Sequence, residues 1–350
     1  VCPNCGQEMV FWDVAVDQEA GSIRDAWNCP GCGTLVAKSP KKDSGALKVD
    51  RAWNTHYDRE LKKTIRQVQQ VPVLINYSVG KKRWEKTPDK VDLELIRDID
   101  ESDIPYPIPV SNIPKGDKTS DPFNLGITHV HHFYTRRNLW SLAMALKLSY
   151  RSNNVKPFWV TASMIRTSKL YKFTLDRKMG NVLGTLYIPS LWTENSPIKL
   201  LNYKLSISEI FRKIKSYNIT NNSSSTDLKP LIKEKLDYIF IDPPFGANLM
   251  YSELNAIWES WLRVLTNNHT EAIMNNVQHK GLVEYQGIMQ KCFDEFYQTL
   301  KPGRWMTVEF HNSQNSVWNA IQEALMRAGF VIADVRSLDK QQLGFNGVNA

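Results

Sequence analysis

Leu236-Asp237-Tyr238-Ile239-Phe240-Ile241-Asp242-Pro243-Pro244-Phe245 is the stretch on which the reading of this chain turns. Leu236 to Ile241 is an apolar, β-branched and aromatic run, the pattern of a strand covered on both faces in a parallel sheet. Asp-Pro-Pro stops it, because proline fixes φ and has no N–H to give to a ladder. The run therefore predicts a buried parallel strand that ends in a functional loop. C-terminal to it, the pattern predicts a helix over about Ser252–Val264 and another over about Ile288–Leu300. Lys301-Pro302-Gly303 reads as a turn and Trp305–Phe310 as a strand. A helix over about Val317–Ala328 follows, capped by Gly329, and then a strand over Phe330–Val335. Strand and helix in alternation predict an α/β sheet with right-handed crossovers.

Upstream, the strongest local signal is a cysteine quartet. In Cys2-Pro3-Asn4-Cys5-Gly6 and Cys29-Pro30-Gly31-Cys32-Gly33, 23 residues lie between Cys5 and Cys29. Each pair encloses a proline and is followed by glycine, so each makes a tight turn whose N–H groups can face sulfur. Four thiolates close a tetrahedral shell and leave no open position, so the metal expected at Cys2, Cys5, Cys29 and Cys32 is a structural Zn2+. A four-thiolate set also suits iron. Residues 1–38 thus read as a zinc ribbon, with short strands expected in the alternating stretch around Val14 and Val16. Residues 39–125 read as linker and insertion, with a strand at Val71–Tyr77. Five prolines within residues 102–122 make that part an extended loop. Leu139–Leu148 reads as a helix after Thr135-Arg136-Arg137-Asn138.

The chain has 350 residues, room for two or three domains at roughly 150 each. Its composition, 42% hydrophobic and 23% charged, excludes a disordered, collagen-like or coiled-coil protein. No apolar run of about 18 residues exists, so no membrane partner is expected. Forty-four Lys and Arg against 36 Asp and Glu leave a net charge of +8, which suits a polyanionic partner such as nucleic acid. Two C-x-x-C pairs point to metal and a reducing compartment rather than to disulfides, hence a cytoplasmic location. The chain begins on Val1 with a metal-type cysteine immediately after it, and reads as a piece of a longer protein.

Asp242-Pro243-Pro244-Phe245 after an apolar strand resembles the D-P-P-[YF] motif of amino-methyltransferases that act on adenine N6 or cytosine N4. Three segments together resemble a group of large prokaryotic adenine-specific DNA methylases with an embedded zinc ribbon. These are the cysteine quartet; Gly126-Ile127-Thr128 through Phe133-Tyr134-Thr135-Arg136-Arg137-Asn138-Leu139; and Tyr251-Ser252-Glu253-Leu254 with Trp258-Glu259-Ser260-Trp261-Leu262. The resemblance implies a partial Rossmann-like methyltransferase sheet, with residues 126–350 as the catalytic half and a basic insertion at about 151–235. It implies S-adenosyl-L-methionine as cofactor, DNA as partner, and an association with restriction or phage-defence proteins. The chemistry fits the residues. An exocyclic amine is a poor nucleophile because its lone pair is delocalised into the ring. Two acceptors on its N–H bonds, the Asp242 carboxylate and a carbonyl held rigid by Pro243 and Pro244, free that pair for attack on the sulfonium methyl. Phe245 stacks on the flipped base. Asp242, where many cytosine enzymes have serine, favours adenine. A cytosine-N4, RNA or protein amino-methyltransferase and a non-catalytic zinc-ribbon binding module are the rival readings.

Tyr251, Glu253 and His311 are expected on the substrate side, Glu253 either bonding the base or fixing the loop, and His311 because it ends a strand at the carboxyl edge where α/β ligands bind. Phe133 and Arg136 are expected near the cofactor; Arg136-Arg137, at a helix start, suit phosphate or a cofactor carboxylate, and equally a solvated surface pair. Asp121-Pro122-Phe123-Asn124-Leu125-Gly126 imitates a D-P-F-x-G-x-G cofactor loop but has one glycine where two are needed, and reads as a proline-rich loop. His129, His131 and His132, with no carboxylate at ligand spacing, read as structural, and Cys292 as a core residue. Lys and Arg between 151 and 235, interleaved with Tyr171, Phe173, Trp192 and Tyr203, suit either DNA or a solvated face.

Overall fold

A computed structural model describes residues 1–150, 155–175, 180–182, 184–203, 220–228, 230, 232 and 235–337. The fold is mixed α/β with small sheets, and the chain divides into two compact units. One comprises Val1–Ser216 with Tyr251–Thr266; the other comprises Tyr217–Met250 with Asn267–Ala350. Much of the basic insertion expected within 151–235 lies outside the described residues.

The first unit opens with the cysteine segment. A short helix α1 (Phe11–Ala15) leads into β1 (Val16–Asp17) and β2 (Ser22–Ile23), then β3 (Ala26–Asn28), β4 (Leu35–Ala37) and β5 (Leu47–Lys48). The short strands expected here are present, with a helical turn ahead of them. The stretch read as linker and insertion holds more regular structure than the one strand expected in it. β6 (Trp53–Asp58) pairs antiparallel with β7 (Lys63–Val68), and β8 (Ile75–Val79) pairs antiparallel with β9 (Lys82–Lys86). The strand expected at Val71–Tyr77 starts four residues later, because Pro72 cannot donate to a ladder. Helix α2 (Lys90–Glu101) starts in a capping box between Asp89 and Asp92. The proline-rich stretch is extended until a single turn, α3 (Ser120–Phe123).

Helix α4 (Arg136–Ser149) begins where Thr135 accepts the N–H of Asn138 and buries Leu139, Leu142, Ala143 and Leu146 along one stripe. Short α5 (Val155–Thr161) and the pair β10 (Tyr171–Lys172) with β11 (Gly180–Asn181) follow. With α6 (Tyr251–Leu262), which contributes Ile257 and Trp261, α4 builds a core around Phe133, Met164 and Leu170.

The second unit holds β12 (Leu236–Ile241), α7 (Leu282–Thr299), β13 (Leu300–Val308) and α8 (Asn315–Arg327). β12 and β13 are parallel, as expected. The turn read at Lys301-Pro302-Gly303 is a bulge inside β13, where the register jumps from Leu236↔Leu300 to Tyr238↔Trp305 and Gly303 takes φ +72°. Tyr285, Met289, Phe293 and Phe296 of α7 meet Val317, Ile321 and Ala324 of α8 and Ile239 of β12. Gly329 ends α8 in a Schellman motif, its N–H on the Met326 carbonyl and that of Phe330 on the Leu325 carbonyl.

Two expectations fail in this unit. β12 is not covered on both faces: Tyr238 is 54% and Phe240 58% exposed. Only the face carrying Ile239 and Ile241 meets the helices. Phe330–Val335 forms no strand, and Val331 and Val335 stand 88% and 71% exposed. A β-branched run becomes a strand only where a neighbouring ladder receives it, and among the described residues none lies beside this one.

Candidate active site and metal centres

Asp242 follows β12 directly and is exposed; among the described residues no group bonds its carboxylate. The next carbonyls are all occupied. The Tyr285 hydroxyl donates to the Pro244 carbonyl at 2.6 Å, and Tyr285 itself is fully buried. Asn312 Nδ2 donates to the Phe245 carbonyl at 2.8 Å, and the Met274 N–H to the Gly246 carbonyl at 3.2 Å. Gly246 needs to be glycine: φ is +78° and an added Cβ would lie 3.3 Å from Met274 Sδ. Pro243 is buried, yet no donor among the described residues reaches its carbonyl. The loop therefore offers two uncommitted acceptors in sequence, the Asp242 carboxylate and the Pro243 carbonyl.

Phe245 and His311 come together. Phe245 meets Phe310 edge-on at 5.4 Å and His311 at 6.5 Å. His311 is exposed and, with Asn312, Ala247 and Asn248, lines a small cleft beside the motif. The Trp318 indole N–H donates to the Asn312 carbonyl at 2.8 Å and so steadies the residue that holds Phe245.

The other expected contacts are placed differently. Glu253 is fully buried, and its carboxylate accepts the N–H groups of Asp117 (3.1 Å) and Lys118 (2.7 Å). Gly116 packs so close that a Cβ there would fall 1.9 Å from the Glu253 carboxyl carbon. Glu253 is thus the anchor of the 116–118 turn rather than an open substrate contact. Phe133 has no exposed surface and belongs to the core. Arg136 spends Nε on the Ser102 carbonyl (2.6 Å) and Nη1 on Glu60 (3.3 Å), and Arg137 pairs with Glu194. These side chains, expected at the cofactor or phosphate, brace the start of α4. Tyr251 is the first residue of α6 and is partly exposed. Gly126, the glycine of the imitation cofactor loop, is pinned on β7: a Cβ would lie 2.2 Å from the Arg66 carbonyl. That stretch is a structural turn, as its single glycine suggested.

The four cysteines converge. Cys2 Sγ lies 3.7 Å from Cys32 Sγ, and Cys5 Sγ 3.7 Å from Cys29 Sγ. A tetrahedron with Zn–S bonds of about 2.3 Å has edges of about 3.8 Å. Two matching turns create this geometry. Gly6 N–H bonds the Cys2 carbonyl and Gly33 N–H the Cys29 carbonyl, with both glycines at positive φ. The Thr34 hydroxyl, 3.2 Å from Cys32 Sγ, and the Thr34 N–H draw that thiol down to about 6, towards the thiolate a metal takes. Trp27, Val36 and Ala15 form the small core beneath.

A second cluster escaped sequence reasoning. Asp58, at the end of β6, meets His131 and His132 from 73 and 74 residues further on. Asp58 Oδ1 accepts the N–H groups of Glu60 (3.0 Å) and Leu61 (2.9 Å), an Asx-type turn. Oδ2 then faces His131 Nε2 at 2.9 Å and His132 Nε2 at 2.8 Å. The donor set resembles a two-histidine, one-carboxylate metal triad, but the protons decide otherwise. His132 Nδ1 accepts the Thr128 N–H at 3.2 Å, so the ring's own proton sits on Nε2 and points at Asp58. That nitrogen has no lone pair for a metal. Burial would raise the Asp58 carboxyl, but the hydrogen bonds from both imidazoles and from Leu61 hold it far below the usual carboxylate range. Burial and the neighbouring His131 push His132 down to about 3. The cluster is a buried hydrogen-bonded lock, in keeping with the structural role read for these histidines. The carboxylate that completes it was invisible because it lies so far away in sequence.

Comparison with protein-family models, curated proteins and solved structures finds no match to this chain.

Proposed function

We propose that this chain carries the catalytic motif of an S-adenosyl-L-methionine-dependent methyltransferase acting on the exocyclic amine of a flipped DNA base, adenine N6 above all. The observation that supports the reading is the pair of uncommitted acceptors after β12. The Tyr285 hydroxyl and Asn312 occupy the following carbonyls, so the Asp242 carboxylate and the Pro243 carbonyl are left to grip the two N–H bonds of an amine. Gripping both bonds pulls the nitrogen towards sp³ and frees its lone pair. Phe245, with His311 beside it, supplies the aromatic surface for a base out of its stack. The cofactor, when bound, supplies the electrophilic methyl. In the same proposal Cys2, Cys5, Cys29 and Cys32 hold a structural Zn2+, with sulfur spacings that suit a tetrahedral shell.

The test is transfer of labelled methyl from S-adenosyl-L-methionine by the intact protein to duplex DNA, RNA and protein in parallel. Duplex DNA should be the acceptor, with N6-methyladenine in the digest. Asp242→Ala should abolish transfer while folding and metal content stay unchanged. Retained transfer in that variant sinks the role of Asp242. Transfer to RNA or protein alone, or N4-methylcytosine as product, would replace adenine in duplex DNA as the substrate.

A further inference from the structure

We propose that the β8–β9 hairpin is a duplex DNA-contacting ribbon, placed against the phosphate backbone from the major-groove side. That the partner is DNA rests on the proposed function; the contact surface rests on the hairpin itself. Val79 pairs with Lys82 across the two-residue loop Gly80-Lys81. Gly80 has φ +60° and Lys81 does not, which makes a type II′ turn, whose twist matches the strands. The tip carries three consecutive cations, Lys81, Lys82 and Arg83. None has a carboxylate partner among the described residues. Lys86, in contrast, is held by Asp89 at 2.9 Å and Asp92 at 2.7 Å, which ties the base of the hairpin to the start of α2.

One face of the ribbon aligns Tyr77, Val79, Lys82 and Trp84. Tyr77 and Trp84 face each other across the strands, at 41% and 44% exposure, and Val79 is 65% exposed. Lys82 Nζ sits 4.3 Å from the centre of the Trp84 ring. An isolated two-stranded hairpin is marginal in water, yet this one keeps apolar rings in solvent and places uncompensated cations next to them. Residues 75–86 hold Lys81, Lys82, Arg83 and Lys86 against Glu85, a net +3 out of the chain's +8. A polyanion neutralises such a surface. A protein partner would meet three unpaired charges in desolvated contact, at a cost an anionic backbone does not impose. The major groove of B-form DNA admits a two-stranded ribbon, and Lys and Arg at its tip reach phosphates.

The experiment measures binding of the intact protein, without cofactor, to a mixed-sequence duplex and to the matching single strand across a salt series. The wild type is compared with the Lys81→Ala/Lys82→Ala/Arg83→Ala variant. Three lost phosphate contacts should flatten the slope of log K against log salt for the duplex by about 2–3 and lower affinity at least about tenfold at low salt. An unchanged slope and affinity overturns the proposal. A loss confined to the single strand, reproduced by Trp84→Ala, overturns the duplex assignment in favour of base stacking. Binding is read without methyl transfer, so failure of the hairpin and failure of Asp242 are told apart.

Discussion

Tyr285 shows how one hydroxyl shapes a candidate active site. Its ring is core, between α7 and β12, while its oxygen reaches the Pro244 carbonyl. Tyr285→Phe keeps the packing and removes one donor. A half-buried carbonyl left without its partner costs about 1 kcal/mol, the low end of the range for buried groups. In the proposed reaction the freed carbonyl would also compete with Pro243 for the amine. The expected result is a lowered kcat with unchanged DNA affinity, measured by steady-state kinetics beside equilibrium binding. A parallel fall in DNA affinity would make Tyr285 a general brace rather than a positioning residue for the loop. Glu253 teaches the converse at the same scale. Its place in a motif-like segment suggested substrate, and its burial against Gly116 shows an anchor.

Between elements, the end of β6 is locked to the segment before α4 through Asp58, His131 and His132. Burial holds His132 down to about 3, against an ordinary value of 6.5, and burial lowers His129 and His131 as well. Unfolding exposes these imidazoles, which then take up protons at any pH between the two values. The unfolded chain binds more protons there, so stability rises with pH. The contribution is complete above about 6.5 and is lost as the pH falls towards 3. Asp58, held low, adds a loss in the same direction below its ordinary 3.8. The thermal midpoint of the wild type should therefore drop between pH 7 and pH 5, and Asp58→Asn should lower stability and leave that dependence at least as steep, since the Asp58 carboxylate raises both imidazoles against burial. A midpoint independent of pH across this interval would contradict the lock.

At the scale of the molecule, the two compact units divide the proposed roles, with the cysteine segment and the β8–β9 hairpin in one and Asp242 in the other. A metal held by the four cysteines, as proposed, would carry much of the folding free energy of so small a core. The purified protein should hold about one zinc per chain by atomic absorption. Cys29→Ser should lose it and unfold the segment, read as protection lost from hydrogen exchange over residues 1–38. Stoichiometric iron would replace zinc by iron, and absence of any metal would remove the centre altogether. Unfolding of the segment should leave exchange in α7 and α8 unchanged, since their core, among the described residues, is built from residues 228–330.

Sequence by itself determined what is local. Cysteine spacing with glycine behind each pair predicts the two turns that bring four sulfurs together, because backbone geometry over five residues decides it. The apolar runs of β12, α4, α7 and α8 and the Gly329 cap were legible for the same reason: each depends on its own periodicity or on one positive φ. Tertiary structure alone decided what depends on distant partners. The β6–β7 and β8–β9 hairpins lay in a stretch read as linker and insertion with a single strand, where half-exposed, charged strands give only a weak alternating pattern. Phe330–Val335 has the residues of a strand but no neighbouring ladder among the described residues. Glu253, Phe133 and Arg136 carry the chemistry of a binding site, and burial turns them inward. Asp58 joins two histidines more than 70 positions away. A side chain's chemistry is set by its atoms, but its use is set by what the folded chain puts beside it.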